Sequence, residues 1–215
     1  LIPVAFASWS HGVARGQRIE YANQLKSSIR WIIGLAPPAL LGLYMGRILI
    51  IGLLFERGEF AVADTLRCAD ALSGYLPGLS FAMIGGLAVR AHIIEGRLMW
   101  VMKMGGLSLA LKVIANAALV SFGLFGLSLA SSIMWLIIPS AHLWRLRDTL
   151  SQATTRGAWL PLVLLATCCL FIGIGWERFV SPPSSLTDPN TVLCLSMWLL
   201  LQGLGLSLLR GKARG

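Results

Sequence analysis

Ser108, Lys112 and Asn116 follow one another at four-residue intervals inside an otherwise apolar run over residues 98–121. That spacing puts three polar groups on one stripe of a helix, with an ammonium in the middle. Lys112 stands about fourteen residues into a run of bilayer-spanning length, so its charge lies deep in the hydrocarbon. A cation at that depth costs about 2.5–3.5 kcal/mol on insertion scales. It is expected to face a cavity or a partner. None of the nine acidic residues falls at the same depth, which leaves an acid elsewhere in the protein or an anionic ligand as the counter-charge. The plainer reading is a lysine that snorkels or pairs for structure alone.

Arg47 is the second embedded charge, about sixteen residues into the apolar run over residues 31–54 and nearer its far end. Long basic side chains near helix ends reach outward, so an interfacial arginine meeting lipid head groups or Asp70 is the favoured expectation. The functional alternative is a phosphate contact on a lipid path. Enzyme signatures are missing. His11, His92 and His142 lie on separate segments, and no His or Cys pair has metal-ligand spacing. Cys68, Cys168, Cys169 and Cys194 read as small apolar helix residues. A phosphate-cradling loop of the ATPase type is absent, so energy would come from an ion, the membrane potential or a substrate gradient.

The elements that carry these residues follow from composition. The chain has 215 residues, of which 56% are hydrophobic and 13% charged, with mean hydropathy +0.76. A water-soluble core of this size cannot hide so much apolar surface, so lipid must be the solvent. Runs of membrane-spanning length occur at about residues 31–54, 68–89, 98–121, 125–144, 158–176 and 190–209, giving six predicted spans in an all-α polytopic membrane protein. The uncharged stretch Val113–Ala141 is too long for one span, and Ser121–Gly126 offers the break of a tight hairpin.

Charge placement supports this division. Thirteen Lys and Arg fall before span one, between spans two and three, between four and five, and after six, against Arg57, Arg67 and Arg178 on the other side. By the positive-inside rule, residues 9–30 and the C-terminus are expected in the cytoplasm. The net charge of +9 lies in short separated loops without a recognition helix or an aromatic-basic platform, which argues against nucleic acid and for anionic membrane lipids.

Between Arg15 and Arg30, apolar residues recur at helical spacing, which predicts a short amphipathic helix on the inner leaflet or an ordinary connecting helix. In span two, Gly74, Gly78, Ala82 and Gly86 repeat every four residues and predict a small-residue face for close helix packing. Pro77 beside that face predicts a kink, as Pro37 and Pro38 do in span one, where Gly42 and Gly46 offer a similar ridge. Helix packing alone explains such ridges; the functional reading is a hinge.

One further stretch carries a family signal: Leu54-Phe55-Glu56-Arg57-Gly58-Glu59-Phe60, then Asp64-Thr65, then Tyr75, Gly78-Leu79 and Phe81. It resembles the MurJ/MviN lipid II flippases, in which a membrane helix typically ends in a Leu-Phe-Glu-Arg-Gly-x-Phe turn, an Asp-Thr pair opens the next helix and a Tyr-x-x-Gly-Leu stretch follows. The similarity runs more loosely over residues 1–147, through Pro37 and Gly126-Leu127-Ser128-Leu129-Ala130.

The resemblance implies a flippase of the wider multidrug and oligosaccharidyl-lipid exporter superfamily. It would move lipid II, an undecaprenyl-linked peptidoglycan precursor, across the bacterial cytoplasmic membrane by alternating access. Membrane lipids are implied as partners, and proteins of cell-wall synthesis are allowed. About fourteen helices are implied for the family. Because residues 1–8 read as the tail of a helix already under way, this chain is expected to run from the end of the eighth helix to the fourteenth. Residues 1–30 would hold that helix end and a cytoplasmic connector, 31–147 four spans of the C-terminal lobe, and 148–215 two accessory spans with a basic tail.

In some members the helix of Lys112 and Asn116, with the next one, helps form a sodium site. The resemblance implies that Lys112 has removed that site or replaced the ion, with Ser131 or Ser132 close by. No resident cofactor is expected, and any coupling ion is unidentified. Where typical members carry an Asp-Thr-x-Thr-Pro-like turn, Arg90 to Lys103 reads differently, with Glu95-Gly96-Arg97 at the turn. That rebuilt turn keeps two other readings open: an exporter of another polyprenyl-linked sugar or of small cations, and a non-transporting scaffold subunit for cell-wall synthesis.

Overall fold

The computed structural model describes residues 9–10, 12–154, 159–179 and 189–210, so the predicted helix end at residues 1–8 lies outside the described residues. Helices α1 (Arg18–Met45) and α2 (Arg47–Phe55) together form the first span. Next come α3 (Val62–Ile94), α4 (Leu98–Leu119) and α5 (Gly123–Arg145). A short α6 (Arg147–Ser151) leads to α7 (Trp159–Phe179) and α8 (Pro189–Arg210). No strand occurs among the described residues. Several of these helices are long and apolar enough to cross a membrane, and the chain is a multi-pass membrane protein.

Two expectations change. The amphipathic segment before span one is not a separate surface helix, because α1 runs unbroken from Arg18 through Pro37 and Pro38. Of the predicted apolar stripe, Ala22, Leu25 and Ile29 are buried together with Tyr21, whereas Ile19 is exposed. Tyr21, Leu25 and Ile29 pack with Ile84, Leu87, Ala88, Ala91 and Leu146 in one core cluster, so a stripe that might have met lipid meets protein. The first span is interrupted instead at Gly46, whose amide still bonds to the Gly42 carbonyl at 3.0 Å. Gly42 lies against the Trp198 indole of α8, where a side chain would collide.

The predicted hairpin forms where the sequence places it. A 3₁₀ turn over Val120–Phe122 follows α4, and Gly123 at φ 65° supplies the left-handed residue that reverses the chain. Gly126 then lies so close to the Leu119 carbonyl that a side chain there would collide. Two successive reversals, at Gly96 and Gly123, make α3 and α5 parallel, and their pairing is the most extensive in the molecule.

The register of that pair is constant. Gly74 lies against Ser128, Gly78 against Ser132 and Gly85 against Pro139, each 54 residues apart in sequence. Gly86, expected on this face, instead has only the Arg90 guanidinium near it among the described residues. The reason is helical geometry: eleven residues return a side chain to within about 20° of its starting direction, whereas twelve leave it about 120° away. Small residues line the seam, while Ile84 and Leu87 of α3 pack in the core cluster with α1. Helix α4 has no buried residue, and its Leu107, Leu109, Val113 and Ile114 are exposed.

Candidate functional site

Lys112 points across the hairpin into α5. Its Nζ donates to the Ser131 hydroxyl, and the Leu127 carbonyl lies 3.4 Å away. Leu127 and Ser131 are one helical turn apart, and Ser131 lies 3.5 Å from the same carbonyl, so the ammonium sits over a small oxygen cluster on one helix. The half-buried charge is thereby solvated by dipoles rather than by a carboxylate. At 1.5 Å per residue it lies about 10 Å from the end of α4, on the hairpin side of its midpoint.

The rest of the polar stripe divides. Ser108 turns to the Met134 sulfur at 2.9 Å, away from the ammonium. Asn116 is half buried one turn beyond Lys112, and its Oδ1 is shielded with no hydrogen-bond partner among the described residues. Two oxygens of α5, Leu127 O and Ser131 Oγ, serve the ammonium.

Arg47 belongs elsewhere. It is 7% exposed at the start of α2, so its side chain is enclosed by protein rather than reaching outward. Its guanidinium donates to the Tyr44 carbonyl at 2.8 Å and stands over the Tyr44 ring at 4.4 Å, a fold-back that the Gly46 break permits. Arg47 and Lys112 therefore do not share a site.

The turn that carries the family signal has a physical explanation. Gly58, at φ 62°, turns the chain after α2. The Glu56 carboxylate accepts the Thr65 hydroxyl at 3.0 Å, and the Asp64 carboxylate accepts the Ala61 amide at 3.1 Å at the start of α3. Both acids thus satisfy groups at a helix N-terminus. The family model for the lipid II flippase MurJ matches residues 1–181.

The chain belongs to this MurJ family. A solved structure titled lipid II flippase MurJ, inward closed conformation, aligns with a TM-score of 0.71 over 98% of this chain at 19% identity. The chain spans 42% of that structure's length. No curated protein matches in sequence.

Within this MurJ-family fold the structure places three arrangements that sequence reading did not foresee. Ser132, the neighbour of Ser131, turns the other way and bonds the backbone of α3 beside Pro77. Its hydroxyl accepts the Gly78 amide at 3.1 Å and donates toward the Gly74 carbonyl at 2.6 Å, with the Tyr75 carbonyl at 3.0 Å. The signal was available in the matched four-residue spacing of Gly74, Gly78 and of Ser128, Ser132.

At the end of α3 and α5 that the charge pattern assigns to the cytoplasm, the rebuilt turn makes a polar knot. Glu95 Oε1 accepts the Thr149 hydroxyl at 2.7 Å, with the Tyr21 hydroxyl at 3.5 Å, and Arg97 lies 3.1 Å from Oε2. Arg97 also donates to the Arg145 carbonyl at 3.1 Å. Beside it, buried His92 and His142 face each other with ring centroids 5.1 Å apart, and the Trp100 indole donates to His142 Nδ1 at 3.3 Å. Histidines fifty residues apart in sequence gave no sign of this meeting.

Proposed function

We propose that this chain is the C-terminal part of a lipid II flippase. It would work in the bacterial cytoplasmic membrane with its C-terminus in the cytoplasm, carrying the undecaprenyl-linked precursor from the inner to the outer leaflet by alternating access. Membership of the MurJ family carries this reading, and the orientation rests on the distribution of Lys and Arg. Residues 31–147 would complete the C-terminal lobe. The two later spans, packed against α1, would be an accessory pair bordering the lipid tail.

Lys112 gives the proposed transporter its particular chemistry. Its ammonium is a tethered cation at a place where the family resemblance implies sodium in some members, held by Leu127 O and Ser131 Oγ. A fixed positive charge on the path of a pyrophosphate head group supplies attraction at every stage of the cycle without a separate ion. Asn116 and Ser108 extend the same polar stripe. Gly74, Pro77 and Gly78 on α3, and Pro37 on α1, are the proposed hinge and packing positions.

The test is lipid II exposure on the outer face of cells depleted of their own flippase and supplied with the full-length protein containing this chain. Restored exposure and growth are expected. Failure despite normal membrane insertion would overturn the lipid II reading and favour another polyprenyl-linked substrate, a cation exporter or a scaffold for cell-wall synthesis.

A further inference from the structure

Ser131 and Ser132 are consecutive on α5 yet serve different helices. A helix turns about 100° per residue, so neighbours on one helix address partners on either side of it. Ser131 meets the Lys112 ammonium on α4, while Ser132, 1% exposed, meets the backbone of α3. Where it meets α3 matters. Pro77 has no amide to give to the carbonyl four residues before it, so the helix is weakest there. The next amide, Gly78 N–H, would ordinarily bond the Gly74 carbonyl, and the Ser132 hydroxyl contacts both of these groups. A hydroxyl so placed bridges a helical ladder at its weak point, which is one of the recognised causes of a kink.

We infer that the Ser131–Ser132 pair couples the Lys112 site to the Pro77 hinge of α3, with Ser132 as a positioning residue that sets the bend. The physical content is simple. Occupancy of the Lys112 site by an anion draws the ammonium from Ser131 and Leu127 O and shifts that turn of α5. Ser132 lies on the same turn and shares that displacement, because Gly78 and Ser132 are too closely packed to slide independently. A Cβ on Gly78 would come within 2.5 Å of Ser132 Cα. A shift on α5 is therefore transmitted to the α3 backbone rather than absorbed by side chains.

This inference rests on the flippase reading for its purpose, but not for its test. Spin labels at Leu66→Cys and Ile93→Cys, both exposed positions near the ends of α3, would lie about 40 Å apart along a straight helix, a span suited to pulsed electron paramagnetic resonance. In full-length protein lacking its native cysteines, Ser132→Ala should broaden or shift the distance distribution. Lys112→Met should shift it as well, although Lys112 does not touch α3 in the hydrogen bonds described above. Pro77→Ala should abolish the effect of Ser132→Ala, because the restored amide closes the neighbouring rung onto the Ser73 carbonyl and removes the ring that weakens this turn. Transport should fall by roughly two- to thirtyfold in Ser132→Ala, the range in which changes along a coupling element act.

An unchanged distribution in Lys112→Met overturns the coupling, and this arm decides the matter alone if Ser132→Ala fails to accumulate. Equal shifts from Ser132→Ala with and without Pro77 overturn the hinge role. Absence of lipid II transport by the wild-type protein would sink the flippase reading while leaving the distance measurements to judge the coupling.

Discussion

Gly78 donates its amide to Ser132 at 3.1 Å while leaving no room for a side chain of its own. The two residues fix the register of α3 and α5, and the same offset brings Gly85 under the Pro139 ring, where a Cβ would lie 2.7 Å from Cγ. Gly78→Ala is therefore expected to destabilise the protein by about 1–3 kcal/mol through overpacking against backbone. Gly86→Ala should be neutral or stabilising by up to about 1 kcal/mol, because the only nearby atom among the described residues ends a flexible arginine and alanine favours the helix. Thermal unfolding in detergent, comparing the two variants, checks the pair. Equal losses would refute the register.

Lys112→Ala should impair transport without lowering the amount of protein in the membrane, since it removes a costly charge and leaves only Ser131 and Leu127 O, which already bond within α5. Ser131→Ala should have the smaller effect of the two, because the Leu127 carbonyl still faces the ammonium. If the tethered cation stands in for an ion, replacing sodium by choline outside and inside vesicles should leave wild-type transport unchanged. Unimpaired transport by Lys112→Ala at equal abundance would remove the residue from the mechanism, and sodium dependence would remove its role as a substitute ion.

The sequence made the apolar runs and the hairpin near Gly123 legible, because each depends on local period or a glycine turn, whereas the placement of Ser131 or Ser132 near Lys112 came only from the family resemblance. What stayed hidden depends on facing surfaces. A four-residue glycine ladder looks continuous in one dimension, yet the drift of a 3.6-residue helix turns Gly86 off the seam and brings Gly85 onto it. Amphipathicity in Tyr21–Ile29 identifies a covered face but not whether lipid or Ala88, Ala91 and Leu146 cover it. Arg47 looked interfacial by depth. Its burial follows from Gly46, which lets the guanidinium fold back on Tyr44.

Glu95 ties three elements together through Thr149, Arg97 and the Tyr21 hydroxyl, with its own side chain 14% exposed. Hydrogen bonds to a charged group are worth about 1.5–3 kcal/mol each at most, and Tyr21, at 3.5 Å, contributes the least. Glu95→Ala should therefore lower stability by about 1–3 kcal/mol and speed proteolysis between Leu146 and Thr154, where the chain leaves the knot. Glu95→Gln, which can still accept from Thr149, should lose less. Limited proteolysis of the two variants in membranes is the check, and equal cleavage to wild type in Glu95→Ala would show that the knot holds nothing.

His92 is fully buried, and among the described residues neither of its ring nitrogens has a partner of good hydrogen-bond geometry, whereas His142 accepts the Trp100 indole at 3.3 Å. Polar groups buried without partners oppose folding, and exchanging one for an apolar side chain of similar size removes that penalty. His92→Leu gives up ring contacts with His142 and Trp100 but recovers the cost of two unsatisfied nitrogens. It should change stability by less than about 1 kcal/mol in either direction. His142→Leu strands the Trp100 donor in a part-buried place and should cost about 1–3 kcal/mol. Melting temperatures of the two variants, with tryptophan emission as a second signal, separate these outcomes. A larger loss from His92→Leu than from His142→Leu would mean that His92 satisfies its nitrogens, and the asymmetry argued from the indole bond would fail.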